Sequence, residues 1–440
     1  MATSQSTPLW HKGTDAADWV TRFTVGEDYR WDTILLPYDV RGTRAHAWGL
    51  AQIDVLAEEE LRQIEQALDD LLGEYEAGTI TVQPEDEDAH TVIEQYLTEQ
   101  LGEVGKKVHA GRSRNDQVLV ALRLFLREAL QERARQAKAL AHGLCDLGEK
   151  HAADLMPGYT HLQRAMPSTA GLWALGYAEV LASDLDALRA AERQVNVSPL
   201  GSAAGYGVPH LDLPREAVAK RLGFRDIQTH APAVQLTRGK IELHVMHALV
   251  QLGGTINRLA SDLVLFNTAE FGFVELPPEH CTGSSIMPQK QNPDVLELAR
   301  AYYHRLLAEM QTLSTLPANL PSGYHRDLQL TKEAVMRSVV LAGDLLTATT
   351  KVMEGLQFQA DRMREACTPA LFATHEALAQ VKKGVPFRGA YRAAAEHPPT
   401  TAPTPPDALD AYETIGAPGQ GRPDRVREMI DTQADGKREA

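Results

Sequence analysis

Four polar, glycine-containing segments hold most of the side chains able to move protons or grip an anion. His109-Ala-Gly-Arg-Ser-Arg-Asn-Asp-Gln117 precedes a long apolar-periodic stretch. Gly111 frees the backbone there, and Ser113, Asn115 or Asp116 can cap the helix that follows. Unpaired amides at a helix start, with Arg112 and Arg114 beside them, suit a carboxylate. The same residues equally describe a capped helix with two solvated arginines. Met156–Pro167 sets Tyr159, Thr160, His161, Gln163 and Arg164 between two prolines. His161 can exchange protons near neutral pH, although an isolated loop histidine more often bonds a carbonyl. Cys281–Pro293 has the composition of a mobile loop at Gly283-Ser284-Ser285 and carries Lys290. Asn292-Pro293 then reads as a cap followed by proline at the first helical position, with Glu297 in the first turns. The fourth segment, Ser322–Lys332, offers Tyr324, Gln329 and Lys332.

What is missing narrows the chemistry. No phosphate-binding GxxxxGK[ST] occurs, and no GxGxxG follows a strand. Cys145, Cys281 and Cys367 are too few and too scattered for a disulfide scaffold or a zinc set, which fits a reducing cytosol. A net charge of −15 gives no field for nucleic acid or an anionic membrane. No run of about 18 apolar residues would span a bilayer, and the first residues, MATSQSTPLWHKG, lack the pattern of a signal peptide. The remaining class is cofactor-free acid–base chemistry on a small polyanion, with no metal.

These segments are held by helices, several of them very long. Ser113–His142 contains neither glycine nor proline, and Val118, Leu122, Phe125 and Ala129 recur at helical spacing. Such a stretch would reach roughly 45 Å. Comparable patterns run from Pro167 to Asn196, Arg238 to Phe271, Pro293 to Leu316 and Gln329 to Leu356, with a possible bend at Gly253-Gly254. Helices of this length bury their apolar stripes best against one another, so a mainly α long-helix bundle is expected. Shorter helices are expected at Glu58–Ala77 and Ala89–Leu101, and Thr79–Val82 could be a strand. Residues 398–406, with five prolines in nine positions, read as a linker before a last helix near Pro423–Thr432.

GSSIMPQKQNP at 283–293 resembles the signature loop of the fumarase/aspartase superfamily, mainly helical lyases that release fumarate. Within it, GRSRNDQ at 111–117 and GYTHLQRAMP at 158–167 are similar to the argininosuccinate lyase family. EDEDAHTVIE at 85–94, GYHRDLQLTKE at 323–333 and GVPFRGAY at 384–391 match the same family. The likeness covers roughly residues 10 to 392. It implies reversible cleavage of argininosuccinate to arginine and fumarate, the last step of arginine synthesis, without a cofactor. It implies Ser285 as the residue exchanging the Cβ proton, Lys290 as its cation, His161 as second proton carrier and Glu297 as the group orienting His161. Asn115, Thr160, Asn292, Tyr324, Gln329 and Lys332 match substrate-binding positions, with Ser113, Arg114 and Gln163 as neighbours; Arg112 and Arg238 align more loosely.

The resemblance also implies a homotetramer whose sites are each shared by three subunits, and the cysteine usage points to the cytoplasm. Three domains are expected: 1–110, a central long-helix bundle at 111–357, and a small C-terminal domain at 358–440. Some positions depart from the family. Phe23-Thr-Val-Gly26 stands where an FNAS-type segment places a serine, so Gly26 costs an expected hydroxyl. Gln291 and His325-Arg326 also differ from the usual residues. The proton carriers are intact, but a sister lyase acting on another fumarate adduct, or a retired structural homologue, stays open at this level.

Overall fold

The computed structural model describes residues 17–435, so the reading of the extreme N-terminus as free of a signal peptide lies outside the described residues. Helix makes up 67% of the structure, as the mainly α expectation requires. No helix among the described residues is long and apolar enough to cross a membrane. The chain divides into two compact units, each assembled from three separate stretches.

The first unit comprises the chain up to Gln131, then Ala190–His247 and Ala308–Val340. Its core lies among three helices, Asp28–Ala51, Glu58–Glu76 and Ala89–Leu101. Leu36, Val40 and Leu50 from the first meet Ile64, Leu68 and Leu71 from the second and Ile93 and Leu97 from the third. These positions follow the helical repeat, and each fully buried leucine contributes about 1.5–3 kcal/mol. Both shorter helices begin where the sequence signals a start. Glu60 Oε2 accepts the Ala57 amide at 2.9 Å. Asp88 accepts the amide and the hydroxyl of Thr91, each at 2.9 Å. A second cluster joins Ala45, Val120 and Leu124 to Leu200, Val218, Leu222 and Phe224.

The second unit comprises Glu132–Arg189, Ala248–Leu307 and the chain from Leu341 onward. Stretches of long helices dominate it. The helix beginning at Arg114 runs to Lys150, eight residues past the expected His142. The others span Ala170–Val195, Lys240–Phe266, Asp294–Thr315 and Leu330–Gly355, within a few residues of expectation apart from the second, which stops at Phe266 rather than Phe271. Gly253-Gly254 does not interrupt its helix. A Cβ at Gly253 would sit 2.8 Å from Leu306 Cδ1, so glycine serves close helix packing there. Near one end, Trp173, Phe266, Phe271, Phe273 and Phe358 form an edge-to-face and tilted aromatic cluster.

Strand content required correction. Thr79–Val82 is not a strand. The main strand pair is instead an antiparallel hairpin, Leu155–Thr160 with Gln163–Thr169, inside a segment read as loop. Its prolines, Pro157 and Pro167, are register partners, and the ladder shifts between Pro157 and Tyr159. Proline and a bulge suppress the alternation by which a strand is recognised. In the proline-rich stretch, a short helix, Pro405–Asp410, starts after Thr404 and is followed by the helix Pro423–Asp435.

Candidate active site

Within the first unit, a cavity of about 240 Å³ gathers charge of both signs. Asp28 and Asp32 stand one turn apart on the Asp28–Ala51 helix and so share a face. Lys332, in the first turn of its helix, donates to Asp32 at 2.6 Å and lies 2.8 Å from Asp28. All three line the cavity. Burial raises the carboxyl pKa values despite the lysine: Asp32 is pushed up to about 6, and Asp28 rises as well. Burial opposes the charge of Lys332, but Asp32 and Asp28 outweigh it and hold the ammonium above its ordinary range.

Arg114 also lines the cavity and meets Asp88 at 2.8 Å, Glu87 at 3.2 Å and the Thr91 hydroxyl at 2.9 Å. Burial alone would raise the pKa of Asp88, but His90 and Arg114 reverse that and lower it. His90 is itself buried, with Nδ1 on Asp39 Oδ2. Burial works against its charge, yet Asp39 and Asp88 raise its pKa. Asp39, fully buried, also accepts from the Gln117 amide at 2.9 Å. Arg238 lies over the Tyr324 ring, 5.0 Å from its centroid, and burial lowers its pKa. Arg326 and Gln329 donate to the Thr24 carbonyl at 3.1 and 3.0 Å, which ties the Ser322–Lys332 segment to the chain just before Gly26.

Of the residues expected to hold substrate, Arg114, Asn115, Tyr324, Gln329 and Lys332 all line this cavity. Ser113 stands beside it as a local brace, its Oγ accepting the Asn115 amide at 3.3 Å. Asp116 is structural: it accepts the amides of Ser113, Gly201 and Ala203 at 2.9–3.0 Å. Arg112 is buried against the Thr43 hydroxyl at 2.8 Å. Of its two arginines, the helix-start segment therefore commits Arg114 to carboxylates of this chain and Arg112 to a hydroxyl. Asp28, Asp32, Asp88 and His90 also line the cavity and went unassigned in the sequence. The i, i+4 spacing of Asp28 and Asp32 was the available signal, as was the pair Asp88 and His90 inside EDEDAHTVIE.

The remaining expected residues belong to the second unit. His161 and Leu162 form the two-residue tip of the hairpin, between the register partners Thr160 and Gln163. Both tip residues have left-handed backbone, φ 54° and 57°. Neither is a glycine or asparagine, so the turn is strained, a condition that concentrates at functional sites. Thr160, His161 and Gln163 are exposed. Below the tip, Tyr159 packs on Phe271 with ring centroids 5.6 Å apart. Gln163 lines a second cavity of about 710 Å³ with Arg164, Glu270 and Arg362.

Ser285 and Lys290 are exposed on a loop closed at its neck. Thr282 and Asn292 exchange backbone hydrogen bonds at 3.0 and 2.8 Å, and the Asn292 amide donates to the Gly283 carbonyl at 3.3 Å. Asn292 is thus the clasp of the loop. Ser284 braces the turn by accepting the Met287 amide at 3.2 Å, which leaves Ser285 projecting. Glu297 is exposed in the first turn of the Asp294–Thr315 helix. Among the described residues it makes no hydrogen bond to His161.

Known proteins share this arrangement of helices. An EDDS lyase variant with bound fumarate superposes with a TM-score of 0.71 over 96% of this chain and 93% of its own, at 23% identity. A class II fumarase from Schistosoma mansoni gives 0.72 over 89% and 90%, at 15% identity. A family model described as lyase matches residues 15–307. The fold and this match define a lyase of the fumarase/aspartase type. The argininosuccinate lyase of Sorangium cellulosum is 45% identical over 98% of this chain and 100% of its own length. That of Thermotoga neapolitana is 42% identical over 89% and 98%. The chain belongs to the argininosuccinate lyase family, and the likeness extends beyond residue 392 through the proline-rich stretch.

Proposed function

We propose that this chain catalyses the reversible elimination of argininosuccinate to L-arginine and fumarate, as the last step of arginine synthesis in the cytoplasm. The observation that carries the reading is the 45% identity over nearly the whole chain to a protein named for that activity. The chemistry fits the residues. A base takes a Cβ proton from the succinyl half, and the electron pair settles towards the neighbouring carboxylate. The C–N bond then breaks, the new C=C bond completes fumarate, and the leaving guanidino nitrogen keeps the bonding pair and gains a proton. One C–H and one C–N bond break with no change of overall oxidation state, so acid–base groups suffice.

Ser285 exchanges the Cβ proton and His161 is the second carrier, with Glu297 orienting its imidazole. A serine acts as a base only when desolvated and close to positive charge, which Lys290 and closure of the loop supply. Donors facing the developing carboxylate charge contribute the largest share of the acceleration. Asn115, Thr160, Asn292, Tyr324, Gln329 and Lys332 hold the substrate, supported by Ser113, Arg114 and Gln163. We further propose a homotetramer of three-domain subunits, at 1–110, 111–357 and 358–440, with each site drawn from three subunits. Exposed apolar residues on the long helices, Val180, Leu298 and Val340, support such an assembly. The test is product analysis in both directions: argininosuccinate must yield L-arginine and fumarate in equal amounts, and the two products must regenerate it. Release of fumarate from a different adduct alone would overturn the substrate assignment.

A further inference from the structure

The proline-rich stretch, read from the sequence as a linker, packs against the hairpin that carries His161. Thr404 caps the short helix Pro405–Asp410: its hydroxyl accepts the Asp407 amide, and proline takes the first helical position. Ala408 from that helix is buried with Leu155, Leu371 and Phe372, and Leu409 packs against them. Leu155 is the first residue of the hairpin. Two residues past the short helix, the Tyr412 hydroxyl donates to the Pro167 carbonyl at 3.3 Å. The Tyr412 ring meets His375 edge-on, 5.1 Å between centroids, and His375 leans in turn on Phe372.

Beyond Tyr412 the chain is fastened to the two helices that flank the hairpin in sequence. Gly421 passes so close to Leu175 that a Cβ there would lie 2.7 Å from its Cδ1. Leu175 belongs to the Ala170–Val195 helix, which follows the hairpin directly. The last helix, Pro423–Asp435, buries Val426 and Ile430 and ties Asp431 to Lys138 at 2.9 Å. Arg427 adds contacts to Asp146 and Glu149 on the helix that precedes the hairpin. The arm from Thr404 onward therefore grips the base of the hairpin and both its neighbours.

That grip falls where the ladder is thinnest. Pro157 and Pro167 are register partners, and proline has no N–H, so their rung adds no hydrogen bond from either amide. The register also shifts between Pro157 and Tyr159. Tyr412 supplies a donor to one carbonyl of this rung. Gln163, next to the tip, stands four residues before Pro167, roughly 13 Å away at the rise of a strand. A tilt of about 5° at the rung therefore moves the tip by roughly 1 Å, a displacement worth on the order of a hundredfold in rate.

We propose that Tyr412 is a positioning residue for the elimination: through Pro167, the C-terminal arm holds the hairpin at the angle that presents His161 to the substrate. This rests on the reading of His161 as a proton carrier. The test compares full-length wild type, Tyr412→Phe and Tyr412→Leu in steady-state fumarate formation and in amide hydrogen exchange followed by mass spectrometry. Tyr412→Phe keeps the ring and should lower kcat about three- to tenfold, the scale of one hydrogen bond's net contribution. KM should stay within about twofold, because Asn115, Tyr324, Gln329 and Lys332 are untouched. Tyr412→Leu also loses the contact with His375 and should lower kcat further. In both variants, exchange in peptides spanning 155–169 should quicken by about the same factor as kcat falls, while peptides from 172–195 stay as in wild type.

Hairpin exchange equal to wild type in both variants overturns the inference. Faster exchange with kcat unchanged also overturns it, because the arm then steadies the hairpin without positioning His161. His161→Gln separates the two readings. If it keeps the wild-type kcat, the reading of His161 fails and the positioning role falls with it. If it loses activity while Tyr412→Phe keeps the wild-type kcat, the role of Tyr412 alone is wrong.

Discussion

The Lys332 ammonium meets the Asp32 carboxylate at 2.6 Å, although 300 residues of chain separate them. The contact fixes the start of the Leu330–Gly355 helix against the first long helix of the chain, and Asp28 completes the cluster from one turn away. All three charges are largely removed from water, so each depends on the others. A buried cluster of charges of this kind is a point of structural risk.

Removing the lysine leaves two buried carboxylates facing each other. Lys332→Met is expected to destabilise the first unit by about 3–5 kcal/mol, the range for breaking a buried ion pair from one side. Adding Asp28→Asn to that variant should restore part of the loss, because the two changes share one network. Urea denaturation of the single and double variants measures the coupling. Strict additivity would show that the three groups do not act together.

The hairpin tip offers a test of strain. Leu162 is 77% exposed and holds φ 57°, a conformation that costs an ordinary residue roughly 1–2 kcal/mol. Leu162→Asn should therefore raise stability by about 0.5–1 kcal/mol, seen as a higher midpoint in thermal melting. A lower midpoint would mean that the apolar contact over the second cavity outweighs the backbone strain.

Asp184 predicts a pH dependence. It is buried on the Ala170–Val195 helix, its Oδ2 has no partner among the described residues, and burial pushes its pKa up to about 6, with a Thr255 hydrogen bond opposing. An unfolded aspartate loses its proton near pH 4. Between about pH 4 and 6 the folded chain keeps a proton the unfolded chain has lost, so stability falls as pH rises and levels off above that window. The full effect is about 3 kcal/mol. Asp32 titrates in the same range, so the informative quantity is the difference from Asp184→Asn. Relative to wild type, that variant should gain stability from pH 4 to 7, and a constant difference would contradict the placement of Asp184.

Sharing of sites between subunits can be tested by mixing. Asn115→Leu alters the first unit and Ser285→Ala the second, and each alone should be nearly inactive. If a site takes these residues from different subunits, a co-refolded equal mixture regains about a quarter of the wild-type rate by random assortment. A mixture no better than its parents would argue that both residues come from one chain.

The long helices were legible because uninterrupted stretches such as Ser113–His142 display the helical repeat without glycine or proline. The hairpin was not, since Pro157, Gly158 and Pro167 mask any alternation and its two-residue turn lacks the usual glycine or asparagine. The family resemblance singled out Asn115, Tyr324, Gln329 and Lys332, which the fold then gathers in one cavity. Asp28 and Asp32 escaped because two acids on a helix most often face solvent; only the distant Lys332 reveals their inward face. Gly26, where a hydroxyl was expected, stands two residues before Asp28, the charge that lines the cavity.

The most direct measurement follows fumarate by its ultraviolet absorbance when purified protein meets argininosuccinate, with Ser285→Ala in parallel. The account predicts steady release by the wild type and a loss of at least about a hundredfold in the variant, the scale of a missing proton-transfer group. Release that survives in Ser285→Ala would contradict the assignment of the Cβ proton to that residue. No release from well-folded wild-type protein would contradict the proposed reaction.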